Sequence, residues 1–374
     1  MVEPAGSIYD KCSLWLFVDE GCLFQKLLLH SEQFPDSAPY LANTVFPFSA
    51  LIVHDSVRFV REHFDPSFPI DSESVNRLRN ATKSLSSAGL SVKEYYVEIQ
   101  AITGFLNEQF RNQSGDLGDL KNLIQPDVGI GYYNGKPVYT TFNMSRYLFK
   151  YSAGEIAAIF DPDTAKRMGY DIGQAARPSY YAVEALGVDS SRLPFEEFGM
   201  TSKDFHYSDL LKPITECGLA SPVYFFVLCE GLTQINSVIT LHESKFFSDL
   251  LGLKMATAVL VALEKSLSKL SRYIVKSPEF EKDPARANQI LSKIIPRNQR
   301  KVIKKAKDLR NALVHYDFAK LLGSGICENQ DAEVILNLAT QHTVGMSSED
   351  YLSWLEEASK EIANNIDSLI KLPR

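Results

Sequence analysis

The chain has no CxxC pair, and its five cysteines, at 12, 22, 217, 229 and 327, are too scattered for a disulfide framework. An odd number of isolated thiols fits a reducing cytoplasm. The seven histidines form no HExxH, HxH or Cys/His cluster at ligand spacing, so neither a metal nor a cofactor is expected. A GxxxxGK[ST] phosphate loop and a GxSxG nucleophile elbow are also missing. Gly129-Ile-Gly131 has no helix behind it of the kind a dinucleotide fold needs. The most apolar segment, Met255 to Leu263, is nine residues long between Lys254 and Glu264, too short to span a bilayer. The start, MVEPAGSIYDK, lacks a basic region followed by an apolar run, so no secretory signal is expected. Internal repeats and low-complexity tracts are absent too. A cytoplasmic protein without a membrane partner is the expectation.

What is present reads as an ordinary globular chain: 374 residues, 45% hydrophobic and 23% charged. A net charge of -7 argues against a protein that coats nucleic acid with its whole surface. It leaves room for a local basic site.

Apolar periodicity predicts a mainly α fold. In the N-terminal region helices are expected over Ser13–His30, Phe48–Phe64 with Pro47 near its start, Asp71–Ser86 and Val92–Phe110. The run from Val128 to Phe142 carries Asn134-Gly135, which predicts one small β-hairpin, with Pro137 confining the second strand to an edge. Residues 161 to 205 read as irregular, with a turn at Asp189–Arg192 and one helix over Tyr180–Leu186. Helices return with Ser221-Pro222 as an N-cap and first-turn pair. They continue over Glu243–Val275, Pro284–Ile295 and a basic helix from Pro296 to about Asp317. Ala332–Gln341 is either helix or strand, and Ser347 caps a closing helix through Leu369. This gives a helical N-terminal region at 1–125, a hairpin and loop region at 126–220, and a helical-bundle C-terminal domain at 221–374.

The basic helix is the most informative stretch. Seven of the fourteen residues from Arg297 to Arg310 are Lys or Arg. On a helical wheel Val302, Ile303, Ala306, Leu309, Leu313 and Val314 form one apolar arc, and Arg310 falls inside it. Lys301, Lys304, Lys305, Asn311 and His315 lie on the other side. An Arg among core residues needs a partner, because desolvating it alone is too costly. Arg310 therefore either reaches a buried carboxylate, with Glu264 on the preceding helix a candidate, or points into a cleft. It stands about 140° from His315 on the wheel, so the two share a site only if both reach into one groove. His54-Asp55 and Glu62-His63 read as the surface of one helix.

Arg310-Asn311-Ala312-Leu313-Val314-His315 resembles the Arg-Asn-x-x-x-His signature of HEPN domains, over residues 222 to 372. The resemblance implies a metal-independent endoribonuclease, of the kind found among toxins and phage-defence effectors, usually a homodimer whose two motifs face one cleft. It implies Arg310 on the scissile phosphate, His315 as general acid or base, and Asn311 orienting His315 or holding the cleft together. Lys304, Lys305 and Lys307 would hold flanking phosphates of the RNA, with Tyr316 and Glu264 in support. A regulatory protein partner is a further expectation.

Two readings stand beside it. One is a non-catalytic helical module for dimerisation or binding, with Arg310 in a structural ion pair. The other is a ligand- or nucleotide-binding regulator using the N-terminal region and the loops between 128 and 205.

Overall fold

The first helix, α1 (Lys11–Gln33), opens on Asp10, whose carboxylate accepts the Ser13 N–H at 2.7 Å. The structure is a computed structural model that describes residues 10–68, 72–83, 85–86, 90–113, 128–188, 194–277 and 280–373. Among them are sixteen α-helices and one three-stranded antiparallel sheet, the mainly α fold that the periodicity predicts.

Helix α2 (Ala38–His63) begins well before the predicted Phe48 and runs straight through Pro47. An interior proline costs a helix about 3 kcal/mol. Burial of Leu41, Val45 and Phe46 ahead of it, with Ile52 and Val53 behind, outweighs that cost. Helix α3 (Ser72–Ala81) ends five residues short of the predicted Ser86, and Asp71 lies outside the described residues, whereas α4 (Val92–Gln113) matches expectation. Ser91 and Glu94 cap α4 reciprocally, each side chain accepting the other's N–H.

Strands β1 (Val128–Tyr133) and β2 (Lys136–Thr140) form the expected hairpin. Asn134 and Gly135 both take positive φ, 49° and 74°, as the tight turn requires. β2 is an edge strand, where Pro137 leaves no ladder donor missing inside the sheet.

The region from 141 to 205 is more regular than predicted. Helix α5 (Thr141–Tyr151) follows the hairpin directly, capped by the Thr140 hydroxyl at the Asn143 N–H. The stretch read as irregular holds α6 (Pro162–Ala185), with Asp161 as cap, Pro162 in the first turn and Pro178 inside. The expected Tyr180–Leu186 helix is only its last turns, and the turn at Asp189–Arg192 lies outside the described residues. A third strand, β3 (Thr201–Phe205), pairs with the free side of β1. All its residues but Phe205 are polar and exposed, so the sequence carries no alternation to reveal it. Helix α7 (Tyr207–Glu216) then leads into the C-terminal part.

There α8 (Pro222–Glu243) and α9 (Asp249–Lys276) form the central pair, followed by α10 (Pro284–Ile294). By length and composition α8 is apolar enough to cross a membrane, but 94% of that window is buried inside the protein as a core helix. The predicted basic helix is two helices, α11 (Arg297–Lys305) and α12 (Lys307–His315), turning at Ala306, where ψ is 0°. Short helices α13 (Phe318–Leu322) and α14 (Ser324–Asn329) precede α15 (Ala332–Val344) and the closing α16 (Ser348–Ile370), capped by Ser347.

Close approaches tie these layers together. A Cβ on Gly21 would sit 2.2 Å from the Ser179 carbonyl oxygen, so α1 and α6 touch only because that residue is glycine. One buried hydrophobic cluster runs from Cys12 to Leu372 through all three expected segments. α1 packs on α9 and α15, and α2 packs on α12. The N-terminal helices therefore lie directly against the basic helix.

The wheel phase can be tested by stability. Leu313 is fully buried, whereas Lys304 is 60% exposed and pairs with Glu264 at 3.4 Å. Leu313→Ala should cost about 2–5 kcal/mol and Lys304→Ala under about 1 kcal/mol. Equal denaturation midpoints for the two variants would place Leu313 off the core face.

Candidate functional site

Helix α12 presents Arg310, Asn311 and His315 to a cleft of about 570 Å³. Ile303, Lys304 and Lys307 join them from α11 and the start of α12, and Lys265 and Glu264 come from α9. The opposite wall is N-terminal. α2 supplies Pro47, Phe48, Leu51 and His54, while the end of α3 supplies Arg79, Thr82 and Lys83. Six Lys or Arg side chains thus face one cleft-lining carboxylate, over an apolar floor that includes Phe48, Leu51, Met255 and Val259.

The centre of the site is Asp55. Read from the sequence as part of a helix surface, it is 1% exposed and lies beneath the two cleft histidines. Its Oδ1 accepts from His315 Nδ1 at 2.8 Å and from His54 Nδ1 at 3.1 Å. Burial alone would raise its pKa. The hydrogen bonds from His315 and His54, and their charge, outweigh that and hold the carboxyl well below the usual carboxylate range. Asp55 Oδ2 is buried and makes no hydrogen bond among the described residues. Asp55 therefore sits as an anion between two histidines, within the field of Arg79 and Arg310.

The histidines differ in what remains free. His54 Nε2 is occupied by Asn76 Oδ1 at 3.1 Å. His315 has given Nδ1 to Asp55, so a neutral imidazole carries its lone pair on Nε2. That nitrogen has no partner among the described residues, and the side chain is 32% exposed in the cleft. A carboxylate-oriented histidine with one open nitrogen is equipped for proton transfer.

Burial disfavours the charge on the cleft cations, and for three of them neighbouring cations add to it. Burial first, and then the neighbouring Arg310, push Arg79 down to about 10 against the attraction of Asp55. Burial followed by Arg79 brings Lys83 down to about 8, with Arg310 and Lys265 adding to the fall. Lys265 is lowered by burial, then by Arg310 and Lys307. Burial also lowers Arg310, with Asp55 opposing. An incoming anion would relieve all four.

Several residues take places other than those expected. Asn311 does not orient His315; its Oδ1 accepts from the Arg310 guanidinium at 3.1 Å, and Asp55 does the orienting. Arg310 makes no ion pair with Glu264, which is engaged by Lys304 at 3.4 Å and by the Ser268 hydroxyl at 2.7 Å. Lys305 is exposed and does not line the cleft.

Tyr316 turns away into the core. Its φ of 54° ends α12 in the left-handed region, and its hydroxyl donates to Glu20 Oε2. Lys254 completes this group, bonding Glu20 Oε1 at 2.5 Å and lying 4.4 Å from the Tyr316 ring centroid. Tyr316 therefore anchors the helix end that carries His315. Asp55, His54, Arg79, Lys83 and Lys265 escaped the sequence reading, because nothing local in α2 or α3 shows which face meets α12. Among the described residues no group of three or more His, Cys, Asp or Glu is placed to hold a metal ion.

Comparison with protein-family models, with curated proteins and with solved structures gives no match to this chain. The resemblance of Arg310–His315 to the HEPN signature rests on those six residues and their position on a helix.

The Asp55 arrangement has a pH consequence. Its folded pKa is depressed, so its contribution is present above the unfolded value, about 4, and is lost as pH falls through and below that value. Asp55→Asn should remove about 3–5 kcal/mol near neutrality, because buried cations lose their counter-charge. It should also flatten the acid limb of the stability curve. Melts at a series of pH values check this, and an unchanged acid limb would separate Asp55 from acid stability.

Proposed function

We propose that the chain is a metal-independent endoribonuclease whose reaction centre is His315 and Arg310 in the cleft between α2, α3, α9 and α12. The observation that carries this reading is the open Nε2 of an Asp55-bound His315 in the same basic cleft as Arg310. The likeness to the HEPN motif supports it, as does the cation surplus on the cleft walls.

In this reading a phosphodiester of RNA lies against Arg310, with Lys304 and Lys307 on flanking phosphates. His315 Nε2 takes the proton of the 2′-hydroxyl, whose oxygen attacks the adjacent phosphorus. The O2′–P bond forms and the P–O5′ bond breaks, giving a 2′,3′-cyclic phosphate. The departing 5′-oxygen recovers a proton from the imidazolium or from water. Asp55 stabilises the imidazolium, and Arg310 stabilises the charge growing on the phosphoryl oxygens. DNA lacks the nucleophile and is not a substrate. Such an activity suits a toxin or phage-defence effector.

The alternative, a binding module with Arg310 in a structural ion pair, has less support, since Glu264 is engaged by Lys304. A homodimer enters as a proposal about assembly alone, because one chain supplies both walls of this cleft. The N-terminal helices contribute Asp55, Arg79 and Lys83, so a regulatory partner, if one binds, acts on a region that builds the site.

Purified protein should cleave single-stranded RNA in EDTA. His315→Ala and Arg310→Ala should each lower the rate at least about tenfold while leaving the melting curve folded and cooperative. Cleavage unchanged in both variants would end the assignment. Intact RNA with all three proteins would favour the binding module.

A further inference from the structure

The reaction centre uses Arg310 and His315 and leaves the opposite wall of the cleft unexplained. On that wall, at and just after the C-terminus of α3, Arg79 and Lys83 line the cavity. Arg79 is only 9% exposed. No hydrogen bond or ion pair from its guanidinium is found among the described residues. Asp55 attracts it through space, but Asp55 Oδ1 is already shared by His315 and His54. A buried guanidinium without a bonded carboxylate is costly in a folded chain. Arg310 beside it adds repulsion.

Lys83 also lacks a counter-charge, its Nζ donating only to the neutral Asn80 Oδ1 at 3.3 Å. It is half-buried, makes no ion pair among the described residues, and faces the same surplus of positive charge. Its position is fixed from behind. The Arg146 guanidinium donates to the Ala81 carbonyl at 3.2 Å and to the Lys83 carbonyl at 3.0 Å. Arg146 is itself 1% exposed and held by Glu98 at 3.5 Å and Glu230 at 3.8 Å. A buried ion network thus holds the end of α3 and the residues after it, which carry the two cations. Such preorganisation favours a bound anion, since little ordering remains to be done on binding.

We propose that Arg79 and Lys83 form a further phosphate subsite, which takes a phosphate of the RNA strand on the wall opposite Lys304 and Lys307. The identity of that occupant rests on the ribonuclease reading; the anion site itself rests on two cations that make no ion pair among the described residues. The subsite binds and positions, and its cations do not take part in proton transfer. It also assigns a task to the N-terminal region, which supplies a phosphate grip that the Arg310–His315 motif lacks.

The test measures binding without cleavage. The probes are a single-stranded RNA bearing 2′-O-methyl groups throughout, which has no nucleophile, and inorganic pyrophosphate. Arg79→Gln and Lys83→Gln should each weaken the 2′-O-methyl RNA at least about tenfold and reduce the slope of affinity against salt. His315→Ala should leave that affinity within about threefold, since a histidine that moves a proton adds little ground-state binding. Pyrophosphate should raise the melting temperature of the wild type and not that of Arg79→Gln. Lys83→Gln, at a half-buried position, keeps the test valid should Arg79→Gln fail to fold.

Pyrophosphate stabilisation that depends on Arg79 or Lys83, without binding of the RNA probe, would support the anion site and overturn RNA as its occupant, and with it the ribonuclease reading. Cleavage of unmodified RNA that needs His315, with wild-type binding of both probes in Arg79→Gln and Lys83→Gln, would overturn the subsite and leave the ribonuclease standing.

Discussion

A buried carboxylate with too many positive neighbours organises this protein. Asp55, on α2, lies out of solvent against the helix that carries Arg310 and His315. Without a local counter-charge, Arg79, Arg310 and Lys83 would repel one another across the cleft. Without cations and histidines around it, Asp55 would itself be too costly to bury as an anion. Each side makes the other tolerable, and the residual surplus is positive. The N-terminal helices and α12 are therefore joined by charge as well as by packing, with the cleft at the join.

Two further ion groups hold the walls of that cleft. Glu20, Lys254 and Tyr316 link α1, α9 and the end of α12 in a group fully withdrawn from water at its ion pair. The left-handed Tyr316 turns the chain so that its ring meets Lys254 while the residue before it stays in the cleft. On the far side Arg146, Glu98 and Glu230 fasten the end of α3 to α5, α4 and α8. Buried pairs of this kind contribute little net stability, but breaking one leaves a charge stranded, so they set geometry strongly. Both groups end within one residue or a few residues of a cleft-lining side chain, which is how distant helices come to control where His315 and Lys83 stand.

Fold class was readable because the apolar spacing is helical over most of the chain, and Asn134-Gly135 marks the one hairpin. The wheel through Val302, Ile303, Leu309, Leu313 and Val314 has the right phase, even across the turn at Ala306. The misread stretches have local causes. Pro47, Pro162 and Pro178 look like breaks, yet burial of the surrounding residues carries α2 through one proline and α6 through another. β3 carries no alternating pattern, because it is exposed along most of its length.

The sequence by itself determined that Arg310 could not rest among the core residues unaided, since its place on the apolar arc follows from helical spacing alone. It also determined that Lys304, Asn311 and His315 share the polar side of that helix. Which carboxylate answers the charge was decided only by tertiary structure. Glu264 is the nearer candidate by element order, but Lys304 reaches it, and Asp55, bonded to His315, attracts Arg310 only through space, from a helix far earlier in the chain. Long-range pairing of this kind depends on how the faces of α2 and α12 meet. The spacing of neither helix contains that information, because each wheel fixes a direction relative to its own axis and not to the other's.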